Sequence, residues 1–165
     1  MPVKPKIKPE LKLTDKLIEL SSLILLFGMW VYILINYQEL PDKIPTHYNF
    51  HGEADAFGSK NSIFIIPVIA TFLYLGLFLL NRFPHILNYP KKITPDNARK
   101  QYALMTRMIR VLNLIILATF LIIAIKTINY TEENSKGFGS WLMILILITP
   151  LLPIIYYNLK SIKEK

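Results

Sequence analysis

The distribution of charge along this chain limits its folding choices more than any other property. Four stretches carry no Asp, Glu, Lys or Arg: Leu20 to Gln38 (19 residues), Asn61 to Asn81 (21), Val111 to Ile125 (15) and Gly137 to Leu159 (23). An α-helix rises about 1.5 Å per residue, so about 20 residues cross the roughly 30 Å of hydrocarbon in a bilayer. The first, second and fourth stretches meet that length directly. The third meets it once its flanks are added, with Arg110 and Lys126 reaching opposite interfaces on their long stems. The gaps predict four spans, near residues 17–37, 62–81, 108–129 and 138–158.

Composition removes the main alternatives. The 165 residues are 53% hydrophobic and 18% charged, with no cysteine and a formal net charge of +8. Disorder needs lower hydrophobicity, and a disulfide scaffold or thiolate metal site needs cysteine. A soluble helical bundle needs polar outer faces, which Ser62-Ile-Phe-Ile-Ile-Pro-Val-Ile-Ala does not supply. The first apolar run is too long for a cleaved signal segment and lacks a small-residue cleavage pattern, so it is expected to stay as an anchor.

The positive-inside rule gives the orientation. Fifteen basic residues fall in the tail before the first span, the segment between spans two and three, and the C-terminus; the other side holds Lys43, Lys60, Lys126 and Lys136. Both termini are therefore expected in the cytoplasm, with the chain in a bacterial inner cell membrane. The order along the chain becomes a tail (1–16), an extracytoplasmic loop (38–61), a cytoplasmic segment (82–107), a short outer loop (130–137) and a second tail (159–165) around the four spans. The basic balance reports topology, so the bilayer is the expected partner and nucleic acid is not.

The cytoplasmic parts carry finer signals. The Lys-Pro alternation of Pro2 to Pro9 predicts a mobile extended tail. Thr94-Pro95-Asp96 predicts a helix start, with a capping hydroxyl, a proline in the first turn and an acid at the positive dipole end. At about 100° per residue, Arg99, Lys100, Arg107 and Arg110 fall on one arc of an amphipathic helix leading into the third span. That stripe is expected to face anionic headgroups or cytosol, where acidic lipid or a cytoplasmic partner would bind. Pro150 and Pro153 are expected to bend the fourth span.

The polar features of the outer side concentrate in Leu40 to Lys60. Pro41 and Pro45 stiffen it, while Gly52 and Gly58 allow backbone angles that a side chain resists. His47, His51, Glu53 and Asp55 admit a metal or acid–base site. His47 and His51 share a face at helical i, i+4 spacing, but lie about 13 Å apart if the segment is extended. The alternative is a loop cross-linked by hydrogen bonds and ion pairs of His47, Asp55 and Lys60. No cofactor is implied.

The pattern Leu40-Pro-x-x-Ile-Pro-x-His-Tyr-Asn-x-x-Gly-x-x-Asp-x-Phe-Gly-Ser-Lys60, following a transmembrane helix, resembles the signature of the domain of unknown function 1648 family. That domain also forms the N-terminal part of the SdpI-type membrane proteins that give immunity to Sdp-type peptide toxins. Asn81 to Pro90 and Ile93 to Tyr102 resemble the cytoplasmic segment of short family members. The resemblance carries over His47, Asn49, Gly52, Asp55, Gly58 and Lys60 as motif residues and implies a peptide or toxin ligand for the loop. His51 falls at an open motif position. The chain is expected to stop at four spans, without the further C-terminal membrane region of the immunity proteins.

The expected fold is an all-α integral membrane four-helix bundle with one structured extracytoplasmic loop and an amphipathic cytoplasmic helix leading into the third span. Three functions fit it: a binding, sensing or toxin-immunity-type module acting through the loop, a membrane metal-dependent hydrolase using His47 with Asp55 or Glu53, and a small-solute transporter. Transport normally requires ionisable groups inside the membrane. The spans hold only Glu19, Lys126 and Arg110, all near ends. Asn36, Thr71, Asn113, Thr119 and Thr149 form at most a narrow polar seam.

Overall fold

The computed structural model describes residues 4–130 and 139–163. Apart from Tyr130, the expected outer loop at 130–137 lies outside the described residues, as does residue 138 at the expected start of the fourth span.

Among the described residues five α-helices form: α1 (Leu13–Asn36), α2 (Ile65–Leu80), α3 (Pro95–Ile128), α4 (Ser140–Ile148) and α5 (Leu151–Lys163). Between α1 and α2 a two-stranded antiparallel sheet pairs β1 (Lys43–Tyr48) with β2 (Ala54–Ser59). Short 3₁₀ turns at Tyr37–Glu39 and Lys60–Phe64 extend the first two helices. Four helical segments among these residues, Leu13–Glu39, Lys60–Leu80, Pro95–Ile128 and Ser140–Lys163, are long and apolar enough to cross a membrane. Large apolar side chains such as Phe27, Ile35, Phe72 and Leu152 point outward along them, as lipid solvation permits and water does not. The chain is a multi-pass, predominantly helical membrane protein.

Contacts fix the helix directions. Asp15 meets Arg107, Glu19 meets Arg110 and Tyr32 meets Asn129, so α1 and α3 run parallel. Trp30 donates to Thr71, and Asn113 donates to the Tyr74 carbonyl, so α2 runs back between them. The shared core holds Met29 and Ile33 of α1, Ala70 of α2, and Leu117 and Ala124 of α3. The sheet lies at one end of this bundle; the starts of α1 and α3 lie at the other, basic end.

The predicted start of α3 is present. Thr94 Oγ1 accepts from the Asn97 amide (3.3 Å), and the Asn97 side chain accepts from the Thr94 amide (2.9 Å), closing a capping box ahead of Pro95. The amphipathic segment and the third span are one helix of 34 residues, about 51 Å long and some 20 Å longer than the hydrocarbon. No glycine and no proline follows Pro95 within it.

The fourth span breaks at Thr149 and Pro150, where proline has no N–H to continue the ladder. Pro153 sits in the first turn of α5, where a missing N–H costs little, so the interruption belongs to Pro150. No residue of α4 is buried. The α5 end is tied to α3: Gln101 Nε2 donates to the Ser161 carbonyl (3.1 Å), and Ser161 Oγ donates back to the Gln101 side chain.

The tail departs from the sequence expectation of a mobile segment. Ile7 packs on Ile93, Ala98 and Tyr102, and the Tyr102 hydroxyl donates to the Pro5 carbonyl at 3.0 Å. Alternation explains this: in extended backbone Ile7 faces the protein while Lys6 and Lys8 face outward. Two polar side chains of the spans bond back onto their own helix, Asn36 donating to the Tyr32 carbonyl and Thr71 to that of Pro67.

Candidate functional site

The motif loop is a β-hairpin seated on the bundle. Ile44 is 1% exposed and enters the core with Leu40 and Ile63, so the base of the hairpin is buried while its outer face is open. Pro45 is tolerated because a two-stranded sheet has only edge strands. The sequence leaves helix and strand open for His47 to His51. Strand pairing settles the choice for His47 and Tyr48, and a turn takes Phe50 and His51.

The register places His47 and Asp55 together. Pro45 pairs with Phe57, His47 with Ala56, and Tyr48 with Ala54. Thr46 is therefore an extra residue on β1 and Asp55 an extra residue on β2, two bulges that offset one another. The second frees Asp55 to reach back, and its Oδ1 lies 2.6 Å from His47 Nδ1. The side chains remain 68% and 44% exposed, so the pair is presented to the surroundings.

The other motif residues build the frame for this pair. Asn49 Oδ1 accepts from the amides of His51 (2.9 Å) and Glu53 (3.1 Å), and its Nδ2 donates to Glu53 Oε2 (3.0 Å). That side chain templates the turn, an arrangement Asn favours. Gly52 has φ +79°, a left-handed conformation that costs other residues about 1–2 kcal/mol. At Gly58 a Cβ would stand 2.8 Å from Thr46 Cγ2, so any larger residue there would force the side chain of the first bulge to move. Lys60 Nζ lies 3.5 Å from Asp42 Oδ1 and 5.7 Å from the centre of the Tyr37 ring, tying the strand end to the end of the first span.

Three contacts that no local spacing reveals join the hairpin to the distal half of the chain. The Tyr48 hydroxyl meets Thr127 Oγ1 at 3.1 Å, His51 Nδ1 meets Ser140 Oγ at 3.4 Å, and Phe57 packs edge-on to Tyr130; below the hairpin, Tyr37 donates to Asn61 and joins the ends of the first two spans. Burial pushes the Tyr48 phenol above its ordinary pKa, against the opposing effect of the Thr127 hydrogen bond. A groove of about 250 Å³ runs under the hairpin, lined by Pro45, Thr46, Tyr48, Ser62, Ile123 and Thr127 among others.

His51 is not brought to the His47–Asp55 pair; it turns to Ser140. Glu53 is held by Asn49. Among the described residues no group of three or more His, Cys, Asp or Glu side chains could hold a metal ion. The dyad leaves an imidazole held by a carboxylate in an open position, able to donate and accept hydrogen bonds or bind an anionic or amide group.

The predicted basic stripe divides. Arg99 meets Glu10 at 3.4 Å, and Lys100 is exposed. Arg107 turns inward to Asp15, with Nε at 2.6 Å and Nη2 at 2.9 Å, and Arg110 turns to Glu19 at 3.3 Å. The physical reason is the parallel α1, whose acids at i and i+4 stand opposite the arginines of α3. A helical projection of α3 alone does not contain them.

Comparison with known proteins agrees with the motif. An uncharacterised protein of Archaeoglobus fulgidus is 34% identical over 85 residues, covering 47% of this chain and 46% of that protein. The match thus spans about half the length of that curated relative. No solved structure matches the chain. Residues 24–71 match the family described as Domain of unknown function (DUF1648). These residues run from the first span through the hairpin into the second, so the part of the chain that carries the candidate site is similar to the DUF1648 family.

Proposed function

We propose that the chain is a binding or sensing module of the inner cell membrane, with both termini cytoplasmic and the hairpin taking an extracytoplasmic ligand of the peptide-toxin class. One observation carries this reading: the His47–Asp55 pair is exposed although the rest of the motif is committed to shaping the backbone that holds it. An exposed ion pair contributes little to stability. A frame built to present one is better explained by recognition. The ties from Tyr48 to Thr127 and from His51 to Ser140 give a ligand on the hairpin mechanical access to the distal helices.

The test is protection of a sensitive bacterial host from an Sdp-type peptide toxin by the full chain and by His47→Ala and Asp55→Ala variants. Loss of protection at unchanged membrane levels is expected for both variants. Unchanged protection removes the dyad from the function, and no protection by the parent chain removes the toxin ligand. A tag on the amino terminus that can be labelled from outside intact cells overturns the orientation.

A further inference from the structure

A second site lies at the opposite end of the molecule. The tail and start of α1, the first turns of α3 and the end of α5 enclose a cleft of about 360 Å³ lined by Glu10, Lys12, Arg99, Lys100, Arg107 and Lys160. Five cationic side chains thus face one carboxylate. Glu10 is engaged by Arg99, and Arg107 is held by Asp15 from beneath. The ammonium groups of Lys12, Lys100 and Lys160 meet no carboxylate among the described residues. Cationic side chains from three separate segments thus border one open cleft, a charge distribution that favours an anion there.

The surroundings identify the anion's chemistry. Lys160 also borders a neighbouring groove of about 470 Å³ shared with Tyr156, Leu159 and Lys163. Tyr156 and Leu159 are 57% and 53% exposed. An acidic pole and an apolar stem therefore have adjacent places, and the junction stands where apolar α5 gives way to its lysines, the level of a headgroup. We infer that this cleft binds the phosphate of an anionic phospholipid, with Lys12, Lys100 and Lys160 contacting the headgroup and Tyr156 and Leu159 an acyl chain. The cleft differs from the stripe read on α3 alone, because Arg110 is absent from it and Lys12 and Lys160, the latter with its ammonium 5.9 Å from the centre of the Tyr156 ring, come from outside α3. It is independent of any ligand of the hairpin.

The experiment titrates the full chain, in neutral detergent micelles, with phosphatidylglycerol, phosphatidylcholine or inorganic phosphate, and follows binding by native mass spectrometry. Phosphatidylglycerol is expected to be retained in preference to phosphatidylcholine. A Lys100→Gln, Lys160→Gln double variant should bind it about 25-fold more weakly, since each basic side chain near an anionic surface contributes roughly fivefold. A Lys43→Gln, Lys126→Gln variant, equal in charge but altered at the hairpin end, should bind normally. Equal weakening in both variants would reduce the effect to net charge and overturn the site. So would equal retention of the two lipids. Saturation by inorganic phosphate at the same concentration as the lipid would assign the cleft to a free phosphate and overturn the lipid.

Discussion

The two ends of the bundle use the same kinds of side chain for opposite purposes. At the hairpin end, His47 and Asp55 are eight residues apart, are paired through strand register and remain open. At the basic end, Asp15 and Arg107 are 92 residues apart, are paired through helix packing and are covered, with the Asp15 side chain 5% exposed. A pair that is short in sequence and exposed is suited to meeting something else. A pair that is distant in sequence and covered holds two helices in place.

That contrast can be broken most readily at Asp15. Replacing it with Ala strands a mostly covered Arg107 and removes the acceptor for the Lys12 amide, so a loss of about 3 kcal/mol is expected in thermal or denaturant unfolding of the detergent-solubilised chain. A loss below 1 kcal/mol would mean the basic end is as well solvated as the hairpin. Next is Gly58→Ala, where the collision with Thr46 Cγ2 should cost about 2 kcal/mol. Adding Thr46→Ser removes that methyl and should recover most of the loss; no recovery would disprove the packing of the first bulge.

Asp55→Ala should lower stability by less than about 1 kcal/mol, the range of exposed pairs, while changing what the hairpin recognises. A cost matching that of Asp15 would erase the contrast between the ends. Near neutral pH the smallest effect belongs to the tyrosines. Burial raises the phenols of Tyr48 and Tyr89 above their ordinary value near 10. Below pH 10 both folded and unfolded chains keep these protons. Above it the unfolded phenols ionise first, so stability should fall as pH rises from 10 towards the folded values. Tyr48→Phe and Tyr89→Phe should flatten that decline.

The sequence makes the two ends unequally legible. Four spans follow from the spacing of charges because hydrocarbon thickness is a fixed ruler. The start of α3 follows from Thr94, Pro95 and Asp96 because capping is local. Asn49, Gly52 and Gly58 mark the hairpin for the same reason, yet the offset bulges that join His47 to Asp55 depend on strand register, which the spacing of residues does not state. The basic stripe is the least legible feature. The projection of α3 places four cations on one arc, but which of them face lipid and which face α1 is decided by acids at positions 15 and 19 and by the parallel packing of two helices some ninety residues apart in the chain. The packed tail is similar, because Ile7 looks like part of a basic extended arm until Tyr102 and Ile93 supply a surface for it.

The uninterrupted length of α3 has a mechanical consequence. Thr127 near one terminus touches the hairpin, while Arg99 and Lys100 near the other border the basic cleft. With neither glycine nor internal proline to absorb a bend, the helix behaves as a lever. A tilt of about 5° pivoting at one terminus would swing the other by roughly 4 Å over its length of about 50 Å. A displacement applied at the Thr127 terminus would therefore be carried as a tilt of the whole helix and not absorbed by a local bend.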